Sequence, residues 1–170
     1  MRLLLKAFKT EIAPTRKQKG KIICSIGIAR FLYNQYIAYN KKLYKMYQRG
    51  LLDSRQKHFV TAKDFDKYVN HNLKIKLPWI DECGSKARKK SLVNAENAFK
   101  RFFDGLAGFP RFKKKSNQDM KLYFPKNNKG DWRIWRHKLM IPTLKQVRLK
   151  EFGYLPVGAK VINGTVSCKA

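Results

Sequence analysis

The sequence predicts an α+β fold in which a helical bundle is inserted between a first strand and the remainder of a small β-barrel or sheet. Three observations predict it. Short-range alternation at the start of the chain stops at a proline, and a three-four rhythm of apolar residues then runs from Ile22 to Leu106. After Lys115 the pattern changes to short segments rich in aromatic and β-branched residues. No internal repeat of solenoid or propeller length is present.

Residues 2–12 alternate around Phe8, Thr10 and Ile12 and end before Pro14, the pattern of a strand. Thr15 with Gln18 forms a capping-box pattern, so a helix is predicted to start there. Ile26, Ala29, Tyr33, Tyr36, Ile37, Asn40, Tyr44 and Tyr47 lie on one face of that helix, which should stop near Gly50. Thr61 and Asp64 suggest the cap of a second helix with Phe65, Tyr68, Val69 and Leu73 on its buried face, and Pro78 ends that region. A third helix from about Ser85 carries Leu92, Ala95, Phe99, Phe102, Phe103 and Leu106, with Gly105 and Gly108 as its stop. Trp132 and Ile134, then Leu139 and Ile141, read as a hairpin; Val147 with Leu149, and Val161 to Val166, read as further strands. Asn163-Gly164-Thr165 has the form of a glycosylation sequon and reads more simply as a turn. The first strand is expected to pair more than a hundred residues away.

The chain carries 39 Lys and Arg against 11 Asp and Glu, a formal net charge of +28. Such an excess repels itself unless a polyanion neutralises it. With 44% hydrophobic and 13% aromatic residues the chain has enough apolar surface for a packed core, which argues against a basic disordered tail. No apolar run approaches the roughly 18 residues of a membrane-spanning helix, and no signal peptide opens the chain. Cys24, Cys83 and Cys168 are widely scattered without a CxxC pair, so they read as buried thiols in a reducing, nucleoid-associated cytoplasmic setting. Charge is segregated. Residues 1–50 hold 12 cations and one acid, residues 51–85 hold six and five, and residues 86–115 hold ten and two. Two basic blocks around a neutral one imply particular faces turned toward phosphate.

The candidate binding residues fall into three groups. Gly108-Phe109-Pro110-Arg111-Phe112-Lys113-Lys114-Lys115 ends a helix and interleaves four cations with aromatics. Arg111, Lys113, Lys114 and Lys115 would hold phosphate, and Phe112 or Phe109 could stack on a base or sit in the core. Lys86, Arg88, Lys89 and Lys90 occupy the first turns of their helix, where the positive end of the helix dipole disfavours cations unless an anion neutralises them. On the first helix Lys41, Lys45 and Arg49 recur at intervals of four, while Arg30, Tyr33 and Asn34 are placed to reach base edges or sugar hydroxyls. Tyr36 and Tyr44 read as core. With roughly eight phosphate contacts to duplex DNA the salt slope would be about −7.

Catalysis is not expected. Two-metal nuclease chemistry needs several carboxylates converging on metals about 4 Å apart. Asp64 and Asp66 diverge on a helix, Asp81 and Glu82 flank a helix start, and His58, His71 and His137 have no metal-ligand spacing. The sequence therefore predicts no catalytic residue, no metal and no cofactor.

Four stretches, KAFKTEIAPTRKQ, RFLYNQYI, AENAFKRFFDGLAGFPRFKKK and WRIWRHKLMIPTLKQVRL, carry a resemblance that covers almost the whole chain. In that order it resembles the N-terminal part of TnpB, the OrfB-type transposon protein related to type V CRISPR effector nucleases. The resemblance implies a wedge-type β-barrel interrupted by a helical recognition insert: strand 1–13, insert 14–115 and the rest of the barrel over 116–170. It implies a guide-type structured RNA and target DNA as partners, with base pairing reading sequence and protein reading shape and backbone. It places Arg30, Tyr33 and Asn34 in the helix motif and Pro110, Arg111, Phe112 and Lys113 in the PRFK motif. Full-length members continue into a ribonuclease H type nuclease domain, usually with a four-cysteine zinc site, and nothing of either is visible in this sequence. The expectation is a binding lobe that does not cleave, with any nuclease chain acting in trans. The alternative is an autonomous regulator whose helices after Thr15 read duplex DNA as a helix-turn-helix.

Overall fold

The computed structural model describes residues 5–53, 55, 58–115, 120–125 and 131–168. Its framework is one long helix, α1 (Arg16–Gln48), preceded by a two-residue strand, β1 (Ile12–Ala13). The capping box starts α1: the Thr15 hydroxyl accepts from the Gln18 N–H at 3.3 Å, and the Gln18 side chain accepts from the Thr15 N–H at 3.0 Å. Gly50, at φ 65°, ends it, with its own N–H bonded to the Tyr47 carbonyl and that of Leu51 to Met46. This left-handed step satisfies carbonyls that the last turn leaves without partners.

One face of α1 is buried from Ile22 through Ile26, Leu32, Tyr33, Tyr36 and Ile37 to Asn40. Tyr47, predicted on the same stripe, is exposed and stacks on His58 at 4.6 Å, because the helix outruns the core by two turns. α2 (Ala62–Tyr68) is capped by Thr61 and passes through a π turn (Val69–Leu73) into the short α3 (Lys74–Lys76). A 3-10 turn at Pro78–Glu82 leads to α4 (Ser85–Phe103), which packs on α1. Tyr36 meets the edges of Phe59, Phe65 and Phe99, and these rings with Leu32, Ile37, Leu92 and Ile80 make the helical core. Phe103 and Leu106, expected on the buried face of α4, are exposed.

Two antiparallel sheets follow. β3 (Arg133–Ile134), β4 (Lys138–Ile141) and β5 (Lys145–Leu149) join β1 in a four-stranded sheet of order β1-β5-β4-β3. Ile12 pairs with Leu149, so the expected long-range pairing of the first strand is present. Its length is not: only Ile12–Ala13 qualifies, with one further bond from the Lys150 N–H to the Glu11 carbonyl. Beyond that bond residues 5–10 meet the chain after β5 through side chains and not as a ladder, the Thr10 hydroxyl donating to Glu151 at 2.7 Å and Phe8 meeting the edge of Tyr154. Leu5 and Phe8 are accordingly exposed, and residues 2–4 of the predicted strand lie outside the described residues.

β2 (Met120–Pro125) and β6 (Asn163–Cys168) form the second sheet. The described strands thus make two separate sheets and no closed barrel. The Asn163-Gly164-Thr165 segment, read as a turn, lies inside β6 opposite Phe124 and Tyr123. Gly164 is needed there because the Trp132 ring lies against its backbone: an added Cβ would sit 2.2 Å from the Trp132 ring edge. Trp132 also meets Phe124 and so ties the two sheets together.

Gly164→Ala should therefore destabilise the fold by about 1–3 kcal/mol through overpacking, read by urea unfolding. Gly20→Ala, in α1 with nothing within 4 Å, should stabilise it by about 0.5–1 kcal/mol.

Candidate nucleic-acid interface

Helical spacing places Arg30, Asn34, Ile37, Lys41 and Lys45 on one stripe of α1, with Lys42 and Arg49 beside it. The 109–115 segment returns from α4 onto this stripe and is held there by Asn34. The Asn34 side-chain oxygen accepts from the Lys113 N–H at 2.8 Å, and its amide donates to the Lys113 carbonyl at 3.0 Å. Both halves of the carboxamide are engaged, so Asn34 does not reach out to base edges as expected; it positions the PRFK segment. Tyr33 is buried, and the Lys113 ammonium lies 4.2 Å from the centre of its ring. Burial of the side chain desolvates Lys113 and pushes its pKa below the ordinary lysine value.

Pro110 is buried, and the two phenylalanines beside it take opposite roles. Phe109 packs among Tyr44, Phe99 and Phe102, whereas Phe112 is exposed. Phe112 stands between two concavities. One, of about 620 Å³, is lined by Ile37, Lys41, Phe109, Pro110, Arg111, Phe112 and Lys114. The other, of about 390 Å³, is lined by Ala38, Lys41, Lys42, Lys45, Met46, Arg49 and Phe112. Lys41 and Phe112 belong to both, so the two form one groove with an apolar and aromatic floor and cationic walls. Among the described residues no acid lines it.

The structure thus brings together two of the three sequence groups. Lys42, not singled out in the sequence, joins them; adjacency to Lys41 was the available signal. Lys115 is exposed and lines neither concavity, and Arg30, half-buried, has no ion-pair partner among the described residues.

The third group stands apart. Arg88 is buried; its guanidinium bonds to the Asp81 carboxylate at 2.9 Å and to the Ile80 carbonyl at 3.3 Å. The anion that its place in the helix called for is a carboxylate of this chain. Lys74 reaches the same carboxylate at 2.6 Å, and the Lys74 hydrogen bond, then Arg88, holds Asp81 below the ordinary carboxylate range. Lys89 pairs with Asp66 at 3.4 Å, and Lys90 lies 5.5 Å from the centre of the Tyr123 ring. Lys86 alone in this group is exposed and unpaired among the described residues.

Three further acids are engaged similarly. Glu82 accepts from the Cys24 thiol at 3.0 Å, Glu96 pairs with Lys100, and Glu11 pairs with Lys150. Cys24 is therefore a half-exposed thiol raised first by its bond to Glu82, and Cys83, not Cys24, is the buried one, pushed up to about 11 by burial. Among the described residues no three of His, Cys, Asp and Glu converge as metal ligands, and no helix is long and apolar enough to cross a membrane.

Residues 1–49 match a family described as a helix-turn-helix domain, of the OrfB and IS605 type. InsQ of Escherichia coli strain K12, which bears the name of an RNA-guided DNA endonuclease, is 25% identical over 164 residues, 96% of this chain. Both matches make the chain similar to OrfB-type transposon proteins. It spans 38% of the length of InsQ. The described part of the matched segment holds the single helix α1, and the next helix, α2, lies beyond it.

Removing the Asn34 amide should release the PRFK segment. Asn34→Ala is expected to speed tryptic cleavage after Arg111 and Lys113 and to cost about 1–3 kcal/mol locally. Asn34→Asp should do the same, since a carboxylate cannot donate to the Lys113 carbonyl. Weakened nucleic-acid binding with unchanged cleavage would instead make Asn34 a direct reader. Asp81 gives a pH signature. Its folded pKa is lowered, so its contribution is complete above the ordinary carboxylate value and is lost as pH falls through the folded value. Asp81→Asn should lower the Tm at neutral pH and flatten that acid limb in thermal melts.

Proposed function

We propose that this chain is a nucleic-acid-binding lobe of a TnpB-type RNA-guided protein, holding a guide-type RNA and the backbone of its target DNA without cutting either. Residues 14–115 are the recognition insert, and residues 1–13 and 116–170 supply the strands of the wedge-type barrel. The observation that carries the reading is the groove, where cations from α1 and from the PRFK segment converge around exposed Phe112. Such a site takes phosphate by charge and a base by stacking. Arg30 extends the same stripe of α1, and Lys86, Lys114 and Lys115 add charge that is unpaired among the described residues. Arg88 is left out of the interface, since Asp81 already holds it.

Cleavage in this reading belongs to a nuclease domain on a further segment or a separate chain. The acids within this sequence support that division, because Asp66, Asp81, Glu82 and Glu96 each hold a donor of the fold.

The first experiment is to purify the chain from its native host with nuclease inhibitors and sequence the RNA that accompanies it. One dominant structured RNA is expected. A smear of cellular RNA, together with protection of a specific duplex in its absence, would favour the second reading, a DNA-binding regulator, which rests on the helix-turn-helix description of the matched family. Reversing Lys41, Lys45 and Arg49 to Glu should reduce the salt slope by about 2–3. Phe112→Ala should cost about 1–3 kcal/mol on a single strand and little on a duplex.

A further inference from the structure

The flank of α1 that carries α2, α3 and the 3-10 turn differs in charge from the rest of the chain. Residues 61–83 hold four lysines and four acids, so the whole formal excess of +28 lies outside this segment. Ion pairs hold much of that charge in place: Lys67 with Asp64 at 3.6 Å, Lys74 with Asp81 at 2.6 Å, and Asp66 with Lys89 of α4 at 3.4 Å. A polyanion gains little from such a surface, yet the surface is apolar. Tyr39 of α1 and Tyr68 of α2 are both exposed, with ring centres 6.3 Å apart. Trp79 of the 3-10 turn is exposed against half-buried Phe31 of α1, at 5.0 Å. Ile75 of α3, between Tyr68 and Trp79 in the chain, is 75% exposed. Exposed apolar side chains grouped in this way mark a contact with another molecule.

The spacing on α1 says what covers this flank. Phe31, Gln35 and Tyr39 stand four apart and form one ridge of the helix. Gln35, at its centre, is exposed, and an aromatic pair lies roughly 6 Å along the axis on either side of it. The ridge therefore reads alike in both directions, and a surface of that kind complements a second copy of itself turned about a two-fold axis. With the axis at Gln35, the Tyr39–Tyr68 pair of one copy meets the Phe31–Trp79 pair of the other, twice, and the two amides meet as donor and acceptor. Charge selects the same occupant, because two chains of this net charge repel and the neutral flank is where they approach at least cost. We propose that the chain forms a two-fold dimer through this flank, α1 against α1. Four rings do not supply the roughly 800 Å² per partner that a stable dimer buries, so the outer surface of α2 and α3, with Ile75, belongs to the contact. Phe31, Gln35 and Tyr39 line no part of the groove, which makes dimerisation a property distinct from nucleic-acid binding.

The test is sedimentation equilibrium of the whole chain, stripped of nucleic acid, over roughly 1–100 μM in about 1 M salt. There the Debye length is about 3 Å, so the repulsion between copies is screened and the dimer should form; chains bridged by residual nucleic acid would come apart instead. Gln35→Lys and Gln35→Glu each keep a good helix former at an exposed position, and circular dichroism should show both folded like the wild type. A two-fold contact sets each new charge against its own copy, where burial shields it from salt. Both variants should therefore weaken association about tenfold or more, and an equimolar mixture of the two should recover it. Ile75→Glu should weaken it likewise, whereas Leu106→Glu, at an exposed apolar position beyond α4, should leave it unchanged. A wild type that stays monomeric at about 100 μM, opposite responses to the two Gln35 charges, a mixture that does not recover, or an equal loss from Leu106→Glu would overturn the proposal. Nucleic-acid affinity does not enter the measurement, so failure here leaves the groove reading untouched, and failure of the groove reading leaves the dimer standing.

Discussion

Three carboxamide side chains on α1 hold the rest of the molecule in place. Gln18 donates to the Leu144 and Gln146 carbonyls, Asn34 brackets the peptide of Lys113, and Asn40 brackets Val60, accepting from its N–H at 2.7 Å and donating to its carbonyl at 3.2 Å. An amide carries both a donor and an acceptor, so it can replace a strand neighbour for a stretch of backbone that has none. Asn40 is wholly buried and Tyr36 adds its hydroxyl to the same Val60 carbonyl, so breaking that set leaves polar groups stranded in the core. Burial also pushes the Tyr36 hydroxyl far above its ordinary pKa, which keeps it a donor. The sheet, the loop before α2 and the PRFK segment are all located relative to one helix, and the groove exists because the PRFK segment meets that helix at a fixed point.

The acids are the complement of this arrangement. A chain with 39 cations and 11 acids has few negative charges to place, and the fold spends several inside the helical half, where Asp81 serves Arg88 and Lys74 and Asp66 serves Lys89. This accounts for the near-neutral block at residues 51–85: its acids neutralise cations of its own and of the start of α4. The remaining excess is turned outward at the groove and on the sheet. Segregation of this kind leaves unpaired cations where a polyanion can reach them and paired ones where it cannot.

Much of the framework was legible in the sequence because it is local. The capping box, the glycine stops and the three-four rhythm of α1 and α4 each depend on residues within one or two turns, and each is found as expected except at the ends of the stripes, where Tyr47, Phe103 and Leu106 are exposed. What was not legible depends on which distant segment arrives. Asn34 and Arg30 stand four apart, which places them on one flank but cannot show that the peptide of Lys113 will occupy Asn34. Arg88 required an anion for its place in the helix, and sequence spacing alone could not distinguish a phosphate from Asp81. The first strand was read too long because its alternation says nothing about where its ladder with β5 ends. β2 was overlooked although Leu122 and Phe124 alternate within it, since the apolar run is short and polar residues precede it.

The PRFK segment shows why aromatic and cationic residues alternate there. Buried Pro110 anchors the segment, Phe109 fills the space between Tyr44, Phe99 and Phe102, and the chain then emerges with Phe112 exposed. Lys41 faces both rings, about equally far from each: 6.0 Å from the centre of Phe109 and 5.9 Å from that of Phe112. Its ammonium is thereby held over the groove by ring quadrupoles instead of by a carboxylate, a weaker hold that a phosphate can displace. An apolar floor beneath the cations also lowers the local dielectric, which strengthens their attraction to an incoming phosphate beyond what the same charges achieve on a solvated loop. The aromatics therefore act on the polyanion twice, once as a surface for a base and once by setting the field of the lysines around them.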